Sequence, residues 1–345
     1  MSTIEEVLAR LNPKTAQSFR IASEIEVELL PTPSLGLNMA IGGLRYGGFS
    51  VLYGNRGSGK TLFALQCARE AQAQGKVVAW LDVEKNFNPH WARRLGVDPD
   101  KMLVDNRTIS IADMADKGKD MILAGADVLI IDSISVLLPQ SYFEDPKDEK
   151  KLKEGESKEI KGLSGTGQIG TFSKNMGQAI NMLNAVNEKT AIIMISQVRN
   201  NIGSYGASIS FMGGKAVEHA ASTVLKLWRT PSDVITAEVH VGDGLLLKKP
   251  VGSPVTWTAE KNRGPGMGET NTYDLYTAGD FVGIDLTGEV ATFGVEYGII
   301  KKGGAWFTME DGTKHNGRPA LITYLRNNPD IQEKIYGEIL AKSVQ

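Results

Sequence analysis

The chain has 345 residues, 41% hydrophobic and 23% charged; these are ordinary globular values that exclude wholesale disorder and allow one large domain with one or two small ones. No run approaches the ~18 apolar residues of a membrane helix, no basic stretch leads into an apolar one at the N-terminus, and a single Cys67 excludes a disulfide framework, so a cytoplasmic protein without a membrane partner is expected. With 38 Lys and Arg against 40 Asp and Glu the net charge is −2, so any contact with nucleic acid must be local or repeated over many subunits.

In chain order, Thr3 and Glu6 form the T-x-x-E pattern of a capping box ahead of Ile4, Val7, Leu8 and Leu11 at helical spacing, which predicts a short amphipathic helix. Residues Ala16 to Glu24 alternate as a strand does. A lone helix and strand have little to bury by themselves, which predicts docking on something else, such as a neighbouring subunit. Next comes the apolar run Phe49 to Tyr53, followed by Gly54-Asn55-Arg56-Gly57-Ser58-Gly59-Lys60-Thr61, a G-x-x-x-x-G-K-T loop leading into a helix that holds Cys67. Glycines there let backbone N–H groups turn toward phosphates, Lys60 supplies a cation, and the Thr61 hydroxyl suits Mg2+.

From Val51 onward strand and helix patterns alternate, as a parallel sheet covered on both faces requires. The apolar runs Val77 to Leu81, Val128 to Ile131 and Ala191 to Ile195 read as central strands, and Phe172, Met176, Ile180, Leu183 and Val186 as a helix stripe packed on them. Two segments interrupt the pattern. Glu144 to Gly162 carries seven acidic and six basic residues and reads as a solvated excursion leading into the Gly-rich 162–170 loop. Asn200 to Gly214 is a second Gly-rich loop that contains Tyr205, Phe211 and Met212. After Leu225 to Trp228 the patterns become antiparallel, with Gly242-Asp243-Gly244 as a hairpin turn. A small α/β domain closes the chain: a helix beyond Thr287, a strand around Trp306 and Phe307, a helix over Pro319 to Arg326, and a last one bearing Ile331, Ile335 and Ile339.

The central strands end in polar residues, and in an open α/β sheet ligands sit at those ends. Asp132 suits a carboxylate near Mg2+, directly or through water. Glu84 could take a proton from an attacking water or align it with the γ-phosphate. Gln197 carries an uncharged amide able to bond a γ-phosphate oxygen and immediately precedes the second Gly-rich loop, where it could report nucleotide state.

Over nearly its whole length the chain resembles the RecA-type homologous recombinase family. The resemblance rests on Pro33-Ser-Leu-Gly-Leu-Asn-Met-Ala-Ile-Gly-Gly43, the phosphate loop, Asp82-Val-Glu84 and Asn88-Pro-His-Trp91. It continues through Ile131-Asp-Ser133, Ile195-Ser-Gln-Val-Arg-Asn-Asn-Ile-Gly203, Met212-Gly-Gly-Lys215, Glu260-Lys-Asn-Arg263, Gly303-Gly-Ala-Trp306 and Leu325-Arg-Asn-Asn-Pro329. It implies an α/β fold: a RecA-like P-loop ATPase core with a mostly parallel doubly wound sheet and added antiparallel strands over 33–285. The core is preceded by a docking helix and strand over 1–32 and followed by a small α/β domain over 286–345. The implied function is an ATP- and Mg2+-dependent recombinase that forms filaments on single-stranded DNA, pairs it with homologous duplex and exchanges strands, with DNA-stimulated ATP hydrolysis.

By position, the resemblance makes Glu84 the base that activates water, Gln197 the γ-phosphate sensor, and Asn88 and Trp91 the residues that contact and stack on adenine, with Tyr276 near the base as well. Lys261 and Arg263 become cations that reach across the subunit interface to the neighbour's ATP. Two DNA-binding loops follow, about 157–170 and 199–215, with Ile169, Lys174, Arg199, Tyr205, Gly213, Gly214 and Lys215 as contacts. The Asn-Arg-Gly-Ser centre of the phosphate loop, the charged 144–162 stretch and the hairpin around 233–255 depart from the usual bacterial pattern and suit a phage-encoded member. A hexameric replicative-type DNA helicase on the same ATPase core is the alternative, and the Lys261-Asn-Arg263 stretch and the closing domain weigh against it. A filament scaffold that uses ATP only to gate assembly is a third reading, and it has no need of Glu84.

Overall fold

The computed structural model describes residues 3–139, 142, 170–200, 209–240 and 246–343. The capping box opens α1 (Ile4–Ala9): the Glu6 N–H donates to the Thr3 hydroxyl at 3.2 Å and the Thr3 N–H donates to the Glu6 carboxylate at 3.3 Å. Asn12 caps α2 (Pro13–Ala16), with Pro13 at the first helical position. The strand expected over 16–24 does not form. The chain there passes through a turn and extended backbone into a 3-10 turn at Ala22–Glu24. Among the described residues no strand pairs with it, and an unpaired strand leaves its N–H and C=O groups to water with no ladder to hold them extended.

Next, β1 (Leu29–Leu30) and β2 (Leu44–Arg45) pair antiparallel around α3 (Leu35–Ile41). Strand and helix then alternate through β3 (Phe49–Gly54), α4 (Lys60–Ala73), β4 (Val78–Asp82), α5 (Pro89–Arg94), β5 (Met102–Asp105), α6 (Ile111–Leu123) and β6 (Val128–Asp132). They continue through α7 (Thr171–Val186), β7 (Ala191–Asn200), β8 (Ile209–Phe211), α8 (Gly214–Ala220) and β9 (Thr223–Trp228). The strands β10 (Ile235–His240), β11 (Leu246–Asn262), β12 (Thr270–Tyr276) and β13 (Gly283–Ile284) follow.

Six strands run parallel in the order β5-β4-β6-β7-β3-β9, and β11, β12 and β13 extend the sheet antiparallel beyond β9. β8 folds back on β7, and β10 pairs with the outer part of β11, His240 opposite Leu246. The turn expected at 242–244 between those two arms lies outside the described residues, as does the charged 144–162 stretch. Period-2 alternation divides the core between the two faces. On β6, Val128 and Ile130 pack with α4, while Leu129 and Ile131 pack with α6, α7 and α8. The expected stripe on α7 is real: Met176, Ile180 and Leu183 are buried, with Phe172 and Val186 at its rim.

The closing domain comprises α9 (Leu286–Glu296), the antiparallel strands β14 (Lys301–Gly303), β15 (Trp306–Thr308) and β16 (Lys314–Asn316), then α10 (Arg318–Asn327) and α11 (Pro329–Ser343). Its own apolar cluster reaches Leu35 of α3, which joins it to the sheet domain. Among the described residues no helix is long and apolar enough to cross a membrane.

Candidate functional site

The phosphate loop joins the C-terminal end of β3 to the first turn of α4. Close packing fixes its glycines. A Cβ on Gly54 would meet the Leu227 carbonyl oxygen at 1.7 Å, and one on Gly59, where φ is +83°, would meet Leu275 at 2.5 Å. Asn55 ties the loop to the end of β9: its amide donates to the Arg229 carbonyl at 2.7 Å and its carbonyl accepts the Arg229 N–H at 3.1 Å. Lys60 Nζ donates to the carbonyls of Gly54 (3.1 Å) and Asn55 (2.9 Å), and burial pushes its pKa down despite the nearby Asp132 and Glu84 carboxylates. Ser58 is fully buried, whereas Arg56 is exposed on the rim.

Parallel pairing brings the neighbouring strand ends to this loop. Gly54 stands opposite Gln197 on β7, and Asp82 opposite Asp132 on β6. The Thr61 hydroxyl donates to Asp132 Oδ2 at 2.8 Å, and burial raises the Asp132 carboxyl to about 6 although that hydrogen bond opposes the shift. One hydroxyl and one carboxylate side by side are hard oxygen donors that fit Mg2+ shared with phosphate oxygens. Glu84 lies just past β4, in a turn held by the N–H groups of Val83 and Glu84 donating to the Asp132 carbonyl, and by those of Asn86 and Phe87 donating to Asp82. Its Oε1 accepts from the Ser133 hydroxyl at 2.7 Å and from Gln197 Nε2 at 3.3 Å. A cleft of about 740 Å3 lined by Arg56, Lys60, Thr61, Glu84, Trp91, Asp132, Gln197, Leu275 and Thr277 collects these groups.

Other expected residues stand elsewhere. Asn88 caps α5 by accepting the His90 and Trp91 N–H groups at 3.0 and 3.1 Å, so it orients Trp91 toward the cleft. Tyr276 packs edge-on against Phe281, and its neighbours Leu275 and Thr277 line the cleft in its place. Lys261 and Arg263 do not line the cleft of their own chain. Lys261 Nζ donates to the carbonyls of Glu218 (2.6 Å) and His219 (3.1 Å), and Arg263 donates to that of His219 (3.2 Å).

Of the expected DNA contacts, Ile169 and Tyr205 lie outside the described residues, and Arg199 falls near the end of β7. Lys174 and Lys215 are exposed on the first turns of α7 and α8, which lie side by side with Gly214 against Ser173 and Gly177 against Ala216. Gly213 is buried against Val217.

Sequence reasoning missed Ser135, whose hydroxyl accepts the Gln197 N–H at 2.8 Å and lies 3.3 Å from the Ser196 hydroxyl. Ser196 in turn exchanges hydrogen bonds with the Met212 backbone at 3.0 and 3.1 Å, linking the Gln197 strand end to the far end of the second loop. Ser135 lies three residues past the end of β6, in the 3-10 turn Ile134–Val136, where no periodic signal marks it, and only the folding of that turn against β7 reveals the pair.

A family model for the RecA N-terminal domain matches residues 16–251, and one for the RecA C-terminal domain matches residues 288–343. The chain is 32% identical over 327 residues to Protein RecA of Frankia casuarinae, covering 92% of this chain and 84% of that one. Against Protein RecA of Bifidobacterium longum it is 32% identical, covering 92% and 74%, and against that of Kineococcus radiotolerans 31%, covering 94% and 86%. With both family models matched and relatives of this identity covered over most of their length, the chain belongs to the RecA family.

Proposed function

We propose that the protein is an ATP-dependent DNA recombinase that assembles on single-stranded DNA, hydrolyses ATP when DNA is bound, and pairs that strand with homologous duplex. The observation that carries this reading is the meeting of Lys60, the Thr61–Asp132 pair and the Glu84–Gln197 pair in one cleft whose wall, through Ser196 and Met212, runs into the second loop. Lys60 and the loop N–H groups hold phosphate, and Thr61 and Asp132 would hold Mg2+, which when bound would neutralise phosphate charge. Glu84 accepts the proton of the attacking water. Gln197 exchanges its bond to Glu84 for one to the γ-phosphate and thereby reports nucleotide state to β7 and β8. Trp91 stacks on the base.

Assembly is supported by apolar side chains left uncovered within the chain. Ile4, Val7, Phe19, Ile21, Ile25 and Val27 are exposed in the N-terminal segment, which forms an apolar groove of about 430 Å3. Among the described residues β5 is an edge strand, with no strand paired on its outer side, and it exposes Leu103 and Val104. A second copy brings these two surfaces together, giving the 16–24 stretch a strand partner and placing Lys261 and Arg263 at the next subunit's ATP. Electron microscopy with single-stranded DNA and ATP tests the assembly: open helical filaments are expected, and closed six-membered rings would favour the helicase alternative.

A further inference from the structure

Tyr53 stands on β3 immediately before Gly54 and is 1% exposed. Its ring lies 5.4 Å from that of Phe211, at the end of β8 where the chain returns from the second loop. Its hydroxyl donates to Glu260 Oε2 at 2.5 Å, and burial together with that carboxylate pushes its pKa far above the usual tyrosine value, so it stays a donor at any working pH.

Glu260 occupies an irregular position. β11 pairs Ala259 with Leu225 and Lys261 with Val224, so two steps on β11 match one on β9 and Glu260 is the extra residue of a bulge. In a regular strand Ala259 and Lys261 would face the same way. Instead Ala259 is buried on the α4 face, whereas Lys261 reaches the carbonyls that end α8 on the opposite face, where Tyr53 also lies. The bulge turns Lys261 over, and the bond from Tyr53 pins the bulged residue.

We propose that the Tyr53–Glu260 hydrogen bond is a positioning device that fixes the 260–263 segment against the phosphate-loop strand and Phe211, and so sets where Lys261 and Arg263 stand for the neighbouring subunit. The inference rests on the reading that these two cations act in trans. The second loop reaches this segment by two routes: through Phe211 on the Tyr53 ring, and through α8, which starts beside Lys215 and ends at the carbonyls holding both cations. Movement of the loop on DNA would therefore shift the cations, making the bond a cis element of DNA-stimulated hydrolysis.

Tyr53→Phe removes the hydroxyl and keeps the ring on Phe211. It and Glu260→Ala should lower DNA-stimulated ATPase about three- to tenfold, the scale of one hydrogen bond, with binding of a fluorescent ATP analogue by free subunits unchanged. Glu260→Gln keeps an oxygen that can accept the bond and should restore most of the activity. Mixed filaments give the decisive reading. Tyr53→Phe subunits should regain ATPase with Lys60→Ala subunits, which supply sound cations to an intact site, and not with Arg263→Ala subunits, which lack the same function. Recovery with Arg263→Ala but not with Lys60→Ala would place the defect in the variant's own phosphate loop and overturn the proposal, as would parental activity in Tyr53→Phe. Failure of Arg263→Ala to complement Lys60→Ala, with co-assembly demonstrated, would instead overturn the trans role and the proposal with it, through a mixture that contains no Tyr53 variant.

Discussion

Glu84 Oε1 receives the Ser133 hydroxyl and the Gln197 amide, and those two donors fix where the carboxylate points before any water is activated. Lys60→Ala should therefore weaken nucleotide binding, while Glu84→Gln should keep binding and slow turnover roughly a hundredfold, the scale of losing a general base. Titrations with a fluorescent ATP analogue and steady-state ATPase rates check both, and equal turnover by Glu84→Gln and the parent would remove Glu84 from the mechanism. At this scale the residues that belong to a local motif were legible: the phosphate loop, Asp132 at a strand end, and Glu84 just past one. Contacts between distant residues were not. Tyr53 meets Glu260 only because β9 pairs with both β3 and β11, and Ser135 meets Gln197 only because the turn after β6 folds against β7. Neither leaves a trace in spacing.

Elements repeat the lesson where a partner is missing. The N-terminal helix follows from its capping box, which is complete within four residues, but the strand expected at 16–24 needs a partner edge, and among the described residues no strand pairs with it. Phe19 is 60% exposed, so Phe19→Glu should shift thermal stability of the single subunit by no more than about 0.5 kcal/mol while abolishing filaments seen by light scattering or microscopy. Filaments of unchanged length would leave this segment without its proposed role. The paired first turns of α7 and α8 make a second element-scale prediction. Lys215→Ala should weaken single-stranded DNA binding and reduce the slope of log affinity against log salt by about 0.7, the value for one released counterion. Fluorescence anisotropy over a salt series reads this directly, and an unchanged slope would remove Lys215 from the DNA surface.

At the scale of the whole molecule the closing domain is fastened to the sheet domain by Glu289 of α9. Its carboxylate accepts the N–H groups of Leu35 (3.0 Å) and Gly36 (3.2 Å) at the start of α3 and the Ser34 hydroxyl (2.8 Å), while Arg326 pairs with the buried Asp285 at 2.8 Å. Burial raises Glu289 from 4.5 to about 7, against the pull of those three donors. A pKa raised on folding contributes stability that is complete below about 4.5 and is lost as pH rises through about 7. Glu289→Gln removes that titration, so the variant's Tm relative to the parent's should climb between pH 5 and pH 8; a pH-independent difference would show that the carboxylate is ionised throughout. The parallel sheet and the small closing domain were legible because buried parallel strands read as continuous apolar runs and the last helix carries Ile331, Ile335 and Ile339 on one face, whereas the order of the strands follows only from their pairing. The fastening was not, since a lone carboxylate on a helix reads as solvated surface, and only the packing of α9 on α3 buries Glu289.

Homology-dependent strand exchange is measured most directly by incubating the protein with circular single-stranded DNA, a linear duplex, ATP and Mg2+ and following joint molecules on a gel. Joint molecules and displaced strand are expected with homologous duplex, none with heterologous duplex, and none from Lys60→Ala. DNA-stimulated ATPase without any homology-dependent joint molecules would contradict the proposed recombinase function.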